Sequence, residues 1–153
     1  GSTGVVNLAG MPISTRCSSE IKIKIKQSRI RVTSKVVELI NSTPEDIQPK
    51  VFVSATTVGY YSTSETQVFN EQIPSKNDYL AEVCRKWEST ALKVNGDVRV
   101  ALIRIGVVLG KDGEALTKMI PLFKMFAGGL IGSEKQWHVP HLLAIIDWFP
   151  AAS

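Results

Sequence analysis

Polar side chains and glycines come together in three short segments of the sequence. They are residues 7–10, 54–59 and 104–109. Gly10 either lets a ligand approach the backbone closely or simply forms a turn. Arg104 is able to contact a phosphate or a ribose, although a salt bridge to a neighbouring carboxylate explains it equally well. Gly106 indicates close packing beside a ligand, or a bulge. The chemistry that these residues suit is the binding of a phosphorylated or nucleotide ligand.

The elements that must position these segments follow from the apolar patterns. Strands are predicted at 5–9, 51–55 and 98–108, and helices at 19–41, 79–93 and 113–126. This alternation implies right-handed βαβ units and a parallel sheet covered by helices. Ligands bind outside the carboxyl ends of such strands. We therefore expect the three segments to meet at one edge of the sheet.

The first predicted helix contains a local conflict. Ile21, Ile23 and Ile25 alternate with lysines, which is a strand pattern. The longer helical period outweighs it, and runs through Ile21, Ile25, Val32, Val36, Leu39 and Ile40. Ile23 lies off this stripe and is expected to be exposed. The second helix is expected to place one apolar side inward, formed by Leu80, Val83, Cys84, Trp87 and Ala91.

Length and composition are those of one soluble globular domain. The chain has 153 residues, of which 44% are hydrophobic and 21% charged, so disorder and collagen-like structure are excluded. No apolar run approaches the ~20 residues of a membrane-spanning helix. Two cysteines, Cys17 and Cys84, and two histidines argue against a disulfide scaffold and a zinc cluster. We expect no metal site.

The net charge of +4 arises from one segment of the chain, residues 16–50. Residues 16–50 hold eight Lys/Arg and four Asp/Glu, and these basic residues are interleaved with the apolar stripe of the first helix. A solvated helix face explains them better than a phosphate-binding surface. The segment lacks interleaved stacking aromatics and any known nucleic-acid motif, so we expect no nucleic-acid partner.

The strand ends resemble those of the extended short-chain dehydrogenase/reductase family. Asn7-Leu8-Ala9-Gly10 with Pro12-Ile13 is similar to its fourth-strand turn, and residues 54–61 resemble its fifth-strand end. Three further segments are similar to its sugar-nucleotide-epimerase-like branch, namely residues 79–88, 104–113 and 128–129. Residues 25–33 look most like the plant plastid member. The resemblance covers residues 3–137.

This resemblance implies a Rossmann-like α/β fold that binds NADP(H) or NAD(H) and has epimerase or reductase activity. It implies cofactor contacts at Asn7, Ala9, Gly10, Ser54, Arg104 and Gly106. It also implies a chloroplast location, with the cytoplasm as the alternative.

The wider superfamily implies the catalytic residues. It uses a Ser or Thr hydroxyl with a Tyr, and a Lys four residues after the Tyr lowers the tyrosine pKa. Thr56 matches the hydroxyl position and Tyr79 lies near the Tyr position, so these two are the predicted catalytic residues. Val83 stands four residues after Tyr79, at the Lys position. If the alignment to the family is fixed by Glu88 instead, the Tyr position holds Leu80 and the Lys position holds Cys84. In both alignments the Lys is missing, as it is in the branch itself.

Departures from the family lead us to expect a partial copy with three βα units. The sequence has no glycine-rich dinucleotide motif and no substrate domain, and residues 138–153 match nothing recognisable. We therefore expect a partial NAD(P)-binding domain at 1–137 and an unmatched tail at 138–153. The isolated chain is expected to have weak or no activity; the alternative is a non-catalytic relative that acts as an interaction module or remnant. An uncovered sheet edge would favour self-association.

Overall fold

The computed structural model describes residues 2–13, 18–61, 64, 67–106, 120–121, 124–125 and 145–148. In chain order the elements are β1 (Gly4–Asn7), α1 (Ser19–Ser42), β2 (Val51–Thr57), a 3₁₀ turn (Val58–Tyr60), α2 (Tyr79–Ala91), β3 (Arg99–Ile105) and β4 (Ile145–Trp148). The third predicted helix, 113–126, lies largely outside the described residues. None of the described helices is both long and apolar enough to cross a membrane.

The sheet has the spatial order β1-β2-β3-β4, and its first three strands are parallel. This confirms the predicted α/β fold, a Rossmann-like parallel sheet with flanking helices. β4 lies antiparallel to β3, with Ile103 opposite Ile146. No strand was predicted within 138–153, because that tail lacks a clear apolar pattern.

Helix α1 begins at a capped residue, and its buried side differs from the predicted stripe. The Ser18 hydroxyl accepts a hydrogen bond from the Ile21 amide at 3.2 Å, which satisfies one of the free donors of the first turn. Ile23 is exposed, as expected. Ile25 and Ile40 are buried as predicted. The prediction was wrong for Val32 and Leu39, which are 38% and 69% exposed, and Thr33 and Val37 are buried instead. Hydrophobicity alone could not place a polar residue, Thr33, at the centre of the buried stripe.

Helix α2 is closer to its prediction. The Asp78 carboxylate accepts a hydrogen bond from the Ala81 amide at 2.9 Å and caps the first turn. Val83, Cys84, Trp87 and Ala91 are buried as predicted, whereas Leu80 is 36% exposed. Leu80 stands in the first turn, where the helix only begins to approach the sheet.

Both helices pack on the same side of the sheet. The apolar core on this side consists of Val37, Ile40, Phe52, Ala91, Val94, Val98 and Leu102. Strand register and the two-residue period of side chains place several polar residues on this side as well. They are Asn7, Ser54, Thr56 and Arg104, and each is at most 5% exposed. The helix-covered side of the carboxyl edge is therefore polar, next to an apolar core.

Candidate functional site

The carboxyl ends of β1, β2 and β3 lie along one edge of the sheet. Asn7 pairs with Ser54, and Thr56 pairs with Arg104, so the three predicted segments are neighbours there. Gly106 follows β3 directly at this edge and is half-buried. The structure thus brings together the strand ends that the sequence singled out.

Asn7 is held by the helices. Its Nδ2 donates a hydrogen bond to Thr33 Oγ1 at 2.9 Å, and Thr33 Oγ1 also accepts one from Trp87 Nε1 at 2.9 Å. Asn7 Oδ1 accepts a hydrogen bond from the Ala9 amide at 3.2 Å. The Asn7 side chain therefore joins the turn after β1 to both helices.

The exposed turn at Ala9 and Gly10 runs alongside Arg29. An added Cβ at Gly10 would come within 3.1 Å of Arg29 Cζ. The Arg29 guanidinium donates to the Met11 carbonyl at 3.0 Å and lies 5.3 Å from the centre of the Trp87 ring. Gly10 thus permits the close approach of a side chain of this protein, a use that the sequence analysis did not predict.

Ser54 and Thr56 carry buried hydroxyls on the same side of β2. Neither Ser54 Oγ nor Thr56 Oγ1 has a hydrogen-bond partner with adequate geometry in the described part of the chain. Thr56 nevertheless lies near enough to the Cys84 thiol to lower its pKa, although burial has the larger effect and raises that pKa above its ordinary value. A buried hydroxyl without a good partner costs free energy and marks a place where a further polar group would be stabilising.

Tyr79 lies at the start of α2 and faces α1. Its hydroxyl donates a hydrogen bond to the Lys22 carbonyl at 2.5 Å, and the Lys22 ammonium is 5.4 Å from the centre of its ring. Thr56 instead neighbours Cys84, which is five residues further along α2 and on a different side of the helix. The described contacts thus place Tyr79 against Lys22 and Thr56 beside Cys84. Their catalytic roles stay predictions.

Arg104 is enclosed by protein groups. Its Nε and Nη2 donate to the two carboxylate oxygens of Glu88 at 3.0 and 2.9 Å, and Nη1 donates to the Tyr61 hydroxyl at 2.5 Å and the Glu71 carbonyl at 3.4 Å. Its Cζ lies 3.7 Å from the centre of the Tyr60 ring. Burial alone would lower the pKa of Arg104, but Glu88 and Tyr61 together raise it above its ordinary value. The salt bridge that the sequence left open as an alternative is present.

The long connection between β2 and α2 is anchored to the sheet and to α2. Arg85 Nη1 donates to Ser75 Oγ at 2.6 Å and to the Lys76 carbonyl at 2.8 Å. The Lys76 amide donates to the Tyr60 carbonyl at 3.0 Å. Together with the bond from Arg104 to Glu71, these contacts hold both ends of the connection near the carboxyl edge.

Sequence reasoning missed the partners of the predicted residues. Thr33 and Glu88 lie in helix interiors, 26 residues after Asn7 and 16 residues before Arg104. Polar residues in the helix stripes were the only sequence signal for them. No group of three His, Cys, Asp or Glu side chains suits a metal ion in the described part of the chain.

Comparison with known proteins identifies relatives that share both sequence and fold. The chain is 69% identical over 150 residues to the chloroplastic epimerase family protein SDR39U1 homolog of Arabidopsis thaliana. The match covers 95% of the chain and 43% of that protein. The crystal structure of human epimerase family protein SDR39U1 (isoform 2) with NADPH superposes with a TM-score of 0.81 at 32% identity, covering 89% of the chain and 47% of the human one.

The chain is a close homologue of the SDR39U1 epimerase family proteins. A nucleoside-diphosphate sugar epimerase from Corynebacterium glutamicum also superposes, with a TM-score of 0.69 at 31% identity, covering 87% of the chain and 27% of that protein. No family model matches the chain. The chain spans about half the length of the SDR39U1 relatives that it matches.

The SDR39U1 homology confirms the resemblance on which the cofactor prediction rests. A structural neighbour crystallised with NADPH supports NADP or NAD as the cofactor by resemblance. The individual cofactor contacts predicted at Asn7, Ala9, Gly10, Ser54, Arg104 and Gly106 stay predictions.

Proposed function

We propose that the chain forms the nicotinamide-side part of an NADP(H)- or NAD(H)-dependent protein with epimerase- or reductase-like activity that acts in the chloroplast. The observation that carries the proposal is the single carboxyl edge formed by β1, β2 and β3, in a fold shared with an NADPH-containing relative. The name of the Arabidopsis relative supports the location.

The residues of the edge fit a nicotinamide nucleotide in two respects. Ser54 and Thr56 offer buried hydroxyls that find no good hydrogen-bond partner among the described residues. Ala9 and Gly10 offer an exposed turn with little side-chain bulk. When bound, the cofactor would supply hydride transfer. The chain's own residues would bind and orient it.

Thr56 is the better placed proton donor of the two predicted catalytic residues. The Tyr79 hydroxyl already donates to the Lys22 carbonyl, and Val83 stands four residues later, where the superfamily has Lys. We therefore assign the hydrogen bond to a reacting oxygen to Thr56 Oγ1.

Thermal unfolding with NADPH tests the proposal. NADPH at about 100 times its dissociation constant should raise the free energy of unfolding by roughly 2.7 kcal/mol, and so raise the melting temperature by roughly 5–10 °C. Substitution of Thr56 by Val should weaken NADPH binding roughly fivefold, as expected for one hydrogen bond of about 1 kcal/mol. Thr90→Val is the matched control, because Thr90 is equally buried but bonds only within α2. A cooperative transition that neither NADPH nor NADH shifts would contradict the proposal.

A non-catalytic role is the second candidate. Asn7, Tyr79 and Arg104 all hydrogen-bond within the protein, as residues of a purely structural assembly would. A cooperative melt that neither NADPH nor NADH shifts would favour this candidate.

A further inference from the structure

Arg104 and Glu88 form a buried ion pair at the end of β3. Arg104 is 3% exposed, and two parallel hydrogen bonds join its guanidinium to the carboxylate of Glu88 on α2. A bidentate pair of this kind fixes the plane of the guanidinium. The orientation of Arg104 is thus set from the helix side of the sheet.

The other side of the same guanidinium contacts the start of the connection between β2 and α2. Nη1 donates to the Tyr61 hydroxyl, and Cζ lies 3.7 Å from the centre of the Tyr60 ring. Such a short distance over a ring face gives a favourable cation–π contact. Tyr61 is buried, and its ring packs edge-on against Tyr60 and beside Phe69. Arg104 thereby holds both tyrosine rings at the carboxyl edge.

Tyr60 differs from Tyr61 in being half-buried, so part of the residue remains at the surface. It is the third residue after the end of β2, near the edge where a ligand of the parallel sheet would lie. The guanidinium lies against the ring of Tyr60, and the backbone carbonyl of the same residue accepts a hydrogen bond from Lys76. Tyr60 is therefore fixed through both its ring and its backbone.

We propose that Arg104 is a positioning residue, which through its ion pair with Glu88 fixes Tyr60 and the described residues 67–78 of the connection as one wall of the cofactor site. Arg104 then acts on the cofactor through Tyr60, and does not touch a phosphate or ribose itself. This inference rests on the proposed function, and it replaces the direct contact that the sequence predicted for Arg104.

Tryptic cleavage after Lys76 reports whether the connection is held in place. Lys76 is the only Lys or Arg between residues 51 and 84, so a cut there is unambiguous. In the full chain, Glu88→Gln and Arg104→Gln should each speed this cut about tenfold or more, because cleavage follows the population of locally opened protein. Glu82→Gln is the matched control, since Glu82 lies on the same helix but pairs at the surface with Lys26 and Lys86.

NADPH binding to the same variants separates positioning from direct contact. We expect Glu88→Gln and Arg104→Gln to weaken binding by a similar factor, about tenfold, and the double variant to be no worse than either alone. Arg85→Gln releases the connection at Ser75 and Lys76 without altering the buried pair, so it tests the same idea in a chain whose core is intact. It should also speed the cut and weaken binding.

Two results would overturn the inference. One is an unchanged rate of cleavage after Lys76 in the Glu88 and Arg104 variants. The other is a large loss of NADPH binding in Arg104→Gln alone, with Glu88→Gln and Arg85→Gln binding normally, which would show a direct contact. If the unmodified chain binds neither NADPH nor NADH, the proposed function fails, and the cleavage rates still show whether the ion pair holds the connection.

Discussion

Two polar residues of the carboxyl edge, Asn7 and Arg104, hydrogen-bond to side chains of the helices. Thr33 illustrates this, because one buried hydroxyl oxygen accepts hydrogen bonds from Asn7 on β1 and Trp87 on α2. Three elements that are distant in sequence therefore meet at a single atom. The position of the turn after β1 depends on a threonine that is fully buried and has no direct access to a ligand.

Replacing Thr33 by Val should destabilise the protein strongly. The change keeps the shape of the side chain but leaves two buried donors, Asn7 Nδ2 and Trp87 Nε1, without their acceptor. Each unsatisfied donor costs about 1–3 kcal/mol, so the free energy of unfolding should fall by about 2–4 kcal/mol in urea titrations. Thr33→Ser retains the oxygen and should lose clearly less. Equal losses in both variants would show that the methyl group, rather than the hydroxyl, matters.

Residue-scale prediction from the sequence was limited by partners that no local pattern reveals. The strand ends at Asn7, Thr56 and Arg104 were located, because they follow apolar runs. The bond between Arg104 and Glu88 depends on the rotation of α2 about its own axis relative to β3. The helical period of 3.6 residues does not fix that rotation precisely enough to identify the bonding partner. The pattern also could not show that Tyr79 turns toward Lys22 of α1 rather than toward Thr56.

The elements themselves were largely predictable. β1, α1, β2, α2 and β3 were all predicted in order, because the period over each whole element matches one type of secondary structure. Residues 21–26, where Ile and Lys alternate as in a strand, lie in helix α1 as the longer helical period predicted. The buried side of α1 was shifted toward Thr33 and Val37 because the polar network selects it, and the helix period alone did not reveal that choice.

The N-terminus of α2 provides a test at this scale. Asp78→Ala removes the cap on the Ala81 amide and the ion pair with Lys76, and should lower the free energy of unfolding by about 1 kcal/mol at neutral pH. Asp78→Asn keeps a capping oxygen and should lose less. If Asp78→Asn loses as much stability as Asp78→Ala, the stabilisation comes from the charge of Asp78 and not from its capping oxygen.

The same position gives a dependence on pH. Partial burial would raise the pKa of Asp78, but the Ala81 amide and the Lys76 ammonium hold it below its ordinary value. A lowered pKa in the folded state means that the ionised carboxylate stabilises the fold above the ordinary pKa of aspartate, and that this contribution is lost as the pH falls through the lowered value. The stability gap between the unmodified chain and Asp78→Asn should therefore close below about pH 4. Urea titrations at several pH values measure it, and a gap that widens on acidification would contradict this reasoning.

At the scale of the whole molecule, β1 leaves one edge of the sheet open in the part that the structure describes. β1 pairs only with β2 among the described strands, and Val6, which points away from the helices, is 62% exposed. An open edge with exposed apolar residues invites pairing with another chain. This is the surface that the sequence led us to expect would favour self-association.

Light scattering after size-exclusion chromatography tests that expectation. The 153-residue chain should elute as a species larger than a monomer, and Val6→Lys should shift it toward the monomer, because a charge on an edge strand opposes pairing. Leu39→Lys serves as the control, since Leu39 is similarly exposed on the outer side of α1. If only Leu39→Lys dissociates the oligomer, the interface lies on α1 and not at the edge of β1.

The order of the strands bears on how the chain folds. Gly4 pairs with Val51 and Val51 pairs with Arg99, so the first two crossovers span 47 and 48 residues of chain. Spatial order equals sequence order, and no described strand inserts between two earlier ones. Each described parallel pairing therefore closes a loop of only one crossover, which keeps the sequence separation of paired residues small for a parallel sheet. During synthesis each new strand can add to the edge most recently completed, so this sheet is able to assemble on the ribosome in the order in which its strands emerge.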